Sequence, residues 1–429
     1  MSKFSSIAAL FRSFSGIFPA HWRRRKGTLG PAPVFLSLMF MSVLGSKGYR
    51  RTMDQLKEQL GHFLGWDYAP SAPSLCEARR KLDANLCNQV MRAVYRLCST
   101  ARKCAKSGYA DMRVLAADGT HLILPAYREI REHFGCPRNG SKKEQLGPQA
   151  SLTVLWDVGA NQPVDWRLGP YRENERVHAH ELIESMGPGD LLLGDRGLPS
   201  RRMLTALCDR GVHFLMRIRY DKAGSLREVA EFERSGRNDA LVILLGRKPG
   251  EEPITVRLLR MVLSDKSVAV FVTSLCDRRK HPANVLLDLY AKRWRIETAF
   301  KEMKWWHGLQ NFHARHVDGI AQEVCAVMVF QLLASEVQAR AEKEFAIGVH
   351  APPDDPPIRF NRQIIADYTA KLIFAGLKGK TEIKRVFENA MFELWRYRQR
   401  VRPGRSFARV RKSSLPGWRP RGSKGKGYA

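Results

Sequence analysis

Tyr290, Arg293, Glu297 and Lys304 lie within the stretch YAKRWRIETAFKEMK, and two aspartates, Asp118 and Asp195, close apolar runs far upstream of it. With Tyr290 taken as zero on one continuous helix, Arg293 falls at about −60°, Glu297 at about −20° and Lys304 at about −40°, so the four groups share a sector of about 60°. Taken alone, Arg293 and Glu297 are an ordinary i,i+4 ion pair on a solvated face. The aspartates change that reading. Asp118 ends VLAAD and is followed by Gly119 and Thr120; Asp195 ends DLLLGD and is followed by Arg196 and Gly197. Either dipeptide by itself reads as a plain turn, but carboxylates at the ends of buried strands are where an α/β sheet presents chemistry. Three carboxylates have the hard oxygen donors for two Mg²⁺ or Mn²⁺ ions, about 4 Å apart. One ion would activate water or a 3′-hydroxyl, and the other would stabilise the leaving oxygen of an in-line displacement at phosphorus. Arginine and lysine beside the carboxylate then suit a neighbouring DNA phosphate.

These groups need a sheet and a helix to hold them. From residue 112 the sequence reads as three short strands, MRVLAADGTHLILP, ASLTVLWDVG and QPVDWRLGP, then helix, strand, helix and strand, ending at HFLMRIR. That order is an α/β sandwich pattern. Residues 222–285 read almost entirely as β, as an insertion would, and helical texture returns at HPANVLLDLYAKRWRIETAFKEMK and GIAQEVCAVMVFQLLASEVQARAE. Before the sheet, residues 1–105 read as helical. PVFLSLMFMSVLG suggests a buried helix, TMDQLKEQLGHFL an amphipathic one, and SLCEARRKL a helix opened by a Ser74–Glu77 capping box. That last helix carries Arg79, Arg80 and Lys81 and, with its neighbour, resembles a helix-turn-helix with basic side chains for DNA; a plain helical bundle with a solvated basic face is the alternative.

The charge points to the same kind of partner. The chain has 429 residues, with 72 Lys and Arg against 42 Asp and Glu, a formal +30. Such an excess favours a polyanion, because cations gain affinity by releasing its condensed counterions. Residues 396–429 carry 12 Lys or Arg and no acidic residue. The longest uncharged run, residues 27–46, is broken by Gly27, Gly30, Pro31 and Pro33 and is too short for a spanning helix. The first 20 residues lack a secretory pattern, although FRSFSGIFPAHWRRR could pass for a transit peptide, and a cytoplasmic protein is expected. Eight cysteines without a C-x-x-C pair read as reduced thiols.

Other residues carry weaker readings. His178 and His180 diverge by about 200° on a helix and do not chelate one ion from it. Trp305 and Trp306 read as core or interface, Phe271 as core, Cys136 as a loop cysteine, and Lys292 and Glu302 as solvated decoration.

The spacing Y-x2-R-x3-E-x6-K, with two aspartates upstream in order, resembles the signature of the DDE transposases of insertion-sequence family four. PAHWRRRKGTLGPAPVFLSLMF and PSLCEARRKL are also similar to members of that family. The resemblance implies an RNase H-like catalytic domain, residues 106–340, interrupted by a β-rich insertion at about 222–285. A helical DNA-binding region, 1–105, would precede it, and a helical C-terminal region with a basic tail, 341–429, would follow. It implies Asp118, Asp195 and Glu297 as ligands of two Mg²⁺ or Mn²⁺ ions, with Tyr290, Arg293 and Lys304 on the phosphates of double-stranded DNA and Arg217 and Arg219 as further DNA contacts. It also implies a synaptic homodimer that cuts and pastes at terminal inverted repeats. An RNase H-like nuclease without strand transfer, or a catalytically silent DNA-binding protein, is the alternative. Hairpin chemistry is the less secure expectation, because relatives can carry a tryptophan on the strand before the signature helix and VAVFVTSL offers Phe271 instead.

Overall fold

The computed structural model describes residues 29–43, 48–82, 84–100, 108–137, 147–220, 226–246, 252–262, 266–347 and 358–401. The basic cluster at 21–26, Cys104 and the tail from 402 onward lie outside the described residues.

Helices α1 (Pro31–Val43), α2 (Tyr49–Leu64), α3 (Ala72–Arg79) and α4 (Ala84–Thr100) come first. Gly65, at φ 65°, takes the left-handed conformation that ends α2 and donates back to Gly61 and His62. The cap of α3 is Ser71, whose hydroxyl accepts from the Ser74 amide at 3.2 Å. The expected Ser74–Glu77 capping box is therefore displaced by one turn, because Pro73 already occupies the first helical turn, where it needs no donor.

Eight strands follow: β1 (Arg113–Ile123), β2 (Gln149–Asp157), β3 (Gln162–Pro170), β4 (Asp190–Gly194), β5 (His213–Ile218), β6 (Asp239–Leu244), β7 (Ile254–Val262) and β8 (Val268–Thr273). They form one sheet in the order β3-β2-β1-β4-β5-β8-β7-β6. β1, β4 and β5 run parallel to one another, and every other pairing is antiparallel. The first five strands, with helices on both faces, are the RNase H-like arrangement. The segment expected to be nearly all β departs in two ways. Its stretch REVAEFER forms a helix, α8 (Arg227–Arg234), and its three strands extend the same sheet beyond β5. The join is made by β8, where Thr273 donates to the Phe214 carbonyl at 2.7 Å. Three short helices connect the strands: α5 (Arg128–Phe134), α6 (Glu175–Leu182) and α7 (Arg201–Asp209).

Both faces of the central strands are covered, so they read as continuous apolar runs. Leu115, Ala117, Leu192, Phe214 and Met216 pack with α6, α7 and α8. Val114, Ala116, Leu191, Leu193 and Leu215 face the opposite core, which they share with α1 to α4 and with the C-terminal helices. Those are α9 (Ala283–Ala291), α10 (Trp294–Trp305), α11 (Val317–Glu344), α12 (Arg362–Lys378) and α13 (Lys380–Arg396). Helix α11 is long and apolar enough to cross a membrane, yet 83% of its apolar window is buried inside the fold.

Arg79 is not one of the solvated basic side chains expected on α3. Its side chain is buried, and the guanidinium donates to Gln322 Oε1 (2.9 Å), the Tyr49 hydroxyl (2.5 Å), the Gly319 carbonyl (3.1 Å) and Glu323 Oε1 (3.0 Å). Gln322 in turn donates to the carbonyls of Arg79 and Leu82 at the end of α3. The arginine thus ties the N-terminal helices to α11.

Candidate active site

β1 outruns β4. The last registered pair between them is Ala117↔Gly194, whereas β1 continues beside β2 through Asp118↔Val154 as far as Ile123↔Gln149. Asp118 is therefore mid-strand and not at a strand end, and it sits where the parallel neighbour stops. Asp195 is the first residue past β4, so the two carboxylates leave adjacent parallel strands side by side. Each is fixed by a following amide: Gly119 donates to Asp118 Oδ1 at 3.0 Å and Gly197 to Asp195 Oδ1 at 2.7 Å.

Helix α10 supplies the third carboxylate and the positive charge between them. The Arg293 guanidinium donates to Glu297 Oε1 at 2.8 Å and to Asp118 Oδ2 at 3.4 Å, with its own side chain only 9% exposed. Arg293 Nε is buried without a partner. Lys304, at the far end of α10, donates to Thr120 Oγ1 (2.7 Å) and the His121 carbonyl (3.0 Å), which clips the helix to β1 two residues from Asp118. Tyr290 meets Phe271 edge to face, with centroids 4.8 Å apart, and burial pushes its phenol up. Phe271 is core, as its type suggested. Arg217 is half-buried on β5 and Arg219 is exposed just beyond it.

The signature does not lie on one helix. α9 ends at Ala291 and α10 begins at Trp294, with Lys292, Arg293, Arg295 and Ile296 bonded three residues back. That tightened turn invalidates the 100° projection between Tyr290 and Glu297. Arg293 and Glu297 still meet because they are four apart across the start of α10. One further reading is corrected: Glu302 is buried and paired with Arg362 at 3.0 Å, so it is no decoration. Trp305, 79% exposed, keeps only the interface half of its reading. Cys136 is buried behind α5, and the His178 ring bonds the Thr153 hydroxyl at 3.1 Å.

A fourth carboxylate went unweighed in the sequence. Glu175 begins α6 after the Asn174 cap, beside Gly119. Burial, then the charges of Asp118 and Asp195, push its carboxyl up to about 7. Asp118 is pushed up to about 6 by burial, with Asp195 and Glu297 adding to the rise and Arg293 and the Gly119 amide opposing it. The site therefore holds more negative charge than Arg293 offsets. That donor set, all oxygen and under-compensated, fits a hard divalent cation. Among the described residues no three such groups yet close on one point, and Arg293 stands between Asp118 and Glu297 instead.

The excess charge has a measurable sign. Because Asp118 titrates higher folded than its ordinary 3.8, its contribution to stability is complete below about pH 4 and is lost as pH rises through about 6. Asp118→Asn is expected to stabilise the metal-free protein by roughly 1–3 kcal/mol at pH 8, with the gain gone at pH 4. Thermal unfolding in chelator at the two pH values checks this.

A family model described as a transposase DDE domain matches residues 109–333. The chain is 28% identical over 244 residues to the transposase InsG of insertion sequence element IS4 from Escherichia coli K12, covering 55% of this chain and 53% of that protein. It is 23% identical over 167 residues to the transposase of IS231F from Bacillus thuringiensis subsp. israelensis, covering 36% of this chain and 32% of the relative. The chain spans about half the length, or less, of these curated relatives. A cryo-EM structure of a piggyBac transposase synaptic complex with hairpin DNA aligns with 91% of this chain and 75% of its own, at 12% identity and a TM-score of 0.41.

Proposed function

The chain belongs to the DDE-domain transposases, of the insertion-sequence-four type, and from that premise we propose that it cuts DNA at the terminal inverted repeats of an insertion sequence and joins the freed end to a target. The observation that carries this is the meeting of Asp118, beside Asp195 at the end of β4, with Glu297 across Arg293. In this reading Asp118, Asp195 and Glu297 hold two Mg²⁺ or Mn²⁺ ions, which supply the Lewis acidity for in-line displacement at phosphorus.

The chain's own groups prepare the site. The rigid β1–β4 pair fixes the spacing of the aspartates, and the clip from Lys304 to Thr120 and His121 holds α10 against β1. Arg293 partly offsets the charge of Asp118 and Glu297, and in this reading its guanidinium would be a DNA-phosphate contact. Tyr290 and Lys304 are the neighbouring phosphate contacts, and Arg217 and Arg219 extend the basic surface along β5. The working form is a synaptic homodimer on double-stranded DNA in the bacterial cytoplasm. Residues 106–340 form the catalytic unit, 1–105 a DNA-binding region, and 341–429 a C-terminal region ending in the basic tail.

The experiment supplies a precleaved terminal-repeat end, a target plasmid and Mg²⁺. Joined product is expected from wild type and not from Asp195→Asn. Cleavage of intact ends without any joining would favour a simple nuclease. Binding is expected to be steeply salt-dependent: replacing both Arg217 and Arg219 with alanine should flatten the slope of log K against log salt by about 2, measured by fluorescence anisotropy.

A further inference from the structure

Helix α10 carries Glu297 on one side and is gripped on another. Glu302 lies five residues on, about 140° round the helix from Glu297, and is buried. Its Oε1 is 3.0 Å from Arg362 Nε. Arg362 opens α12 directly after the Asn361 cap, whose side chain accepts from the Gln363 amide at 2.9 Å, so the base of the arginine is fixed. The same guanidinium donates to Gln338 Oε1 on α11, and Gln338 Nε2 donates on to Glu342 Oε1 at 2.6 Å. One arginine therefore joins α10, α11 and α12. Just past α10, the buried His307 meets Phe330 of α11 edge to face, with centroids 5.0 Å apart. Glu302, His307, Gln331, Ser335, Gln338 and Arg362 line a cavity of about 10 Å³, room for about one water. His307 Nδ1 and Gln331 Oε1 are buried there without a well-formed hydrogen bond, although the two side chains lie side by side. This side of α10 is thus seated on polar groups. A buried ion pair adds little net stability over an apolar one, and its best-attested use is to fix register.

Resting on the reading of Glu297 as a catalytic carboxylate, we propose that Arg362 is a positioning residue for it: through Glu302 it sets the rotation of α10, and with it the place of Glu297 against Asp118 and Asp195. Lys304 holds the far end of the helix to β1 through Thr120 and His121. With contacts on two sides, α10 has one rotation in which both are made. Loss of the Arg362 contact leaves the Lys304 clip, about which the helix can turn. The pair couples the C-terminal helices to the chemistry without touching substrate.

The test is single-turnover cleavage of end-labelled terminal-repeat DNA by the full chain, with DNA affinity, melting temperature and hydrogen exchange of the α10 amides measured beside it. Arg362→Ala is expected to slow cleavage at least about tenfold at unchanged DNA affinity. Arg362→Lys, which keeps a charge for Glu302, should recover part of that loss. Arg362→Met combined with Glu302→Leu separates positioning from stability alone: the apolar pair should melt at or above wild type, yet still cleave at least about tenfold more slowly and exchange its α10 amides faster. Wild-type cleavage and exchange in that double variant would overturn the proposal and leave the pair a structural contact. Wild-type cleavage in Glu297→Gln would instead defeat the reading on which it rests.

Discussion

Replacing Glu297 with glutamine is expected to lower divalent-dependent cleavage of terminal-repeat DNA by at least about three orders of magnitude, with DNA affinity nearly unchanged. Glutamine keeps the size of the side chain and an acceptor for the Arg293 guanidinium, now at 2.8 Å from Glu297 Oε1. It removes the charge. A hard cation pair depends on that charge more than on shape, and residues acting as one unit fail together. Arg293 would then turn wholly to Asp118, the other carboxylate it reaches. Single-turnover cleavage of end-labelled DNA, beside anisotropy for affinity, separates the two effects. Cleavage within tenfold of wild type would remove Glu297 from the chemistry.

Glu323→Ala should have the largest effect on stability, about 3–5 kcal/mol. Arg79 and Glu323 are 1% and 2% exposed at the side chain, and the arginine would be left charged in a dry interior. Burial raises the Glu323 carboxyl, but the His313 contacts and Arg79 together hold it below its usual range, so it is ionised in the folded chain. Glu323 Oε2 also accepts from the His313 amide at 2.8 Å, so two segments loosen at once. Equilibrium urea unfolding measures the loss. Replacing both partners by apolar residues, Arg79→Met with Glu323→Leu, should recover most of it, since the cost lies in the unpaired charge. A double variant no better than Glu323→Ala would contradict that account.

Asp118, Asp195 and Glu297 could be picked out as candidates from the sequence because carboxylates following apolar runs, and an i,i+4 pair on a helix, are local patterns. The succession of strands along the chain was legible for the same reason, since alternating and continuous apolar runs report burial directly; their order in the sheet was not. Glu175 was not, because its contact with Gly119 is tertiary and leaves no spacing to read. The break at Lys292–Arg293 was hidden too: both residues keep right-handed helical angles, and only the shift to three-residue hydrogen bonds marks it. Arg79 and Glu302 were read as surface charges because their partners, Glu323 and Arg362, are 244 and 60 residues away. Burial of a charge is a property of tertiary pairing, and sequence proximity says nothing of it.

Anomalous diffraction from crystals of the chain with terminal-repeat DNA and Mn²⁺ tests the central claim most directly. Two peaks bounded by Asp118, Asp195 and Glu297, with Arg293 displaced toward a phosphate, are predicted. Mn²⁺ found elsewhere, with Arg293 still between Asp118 and Glu297 while the crystals' DNA is cut, would contradict it.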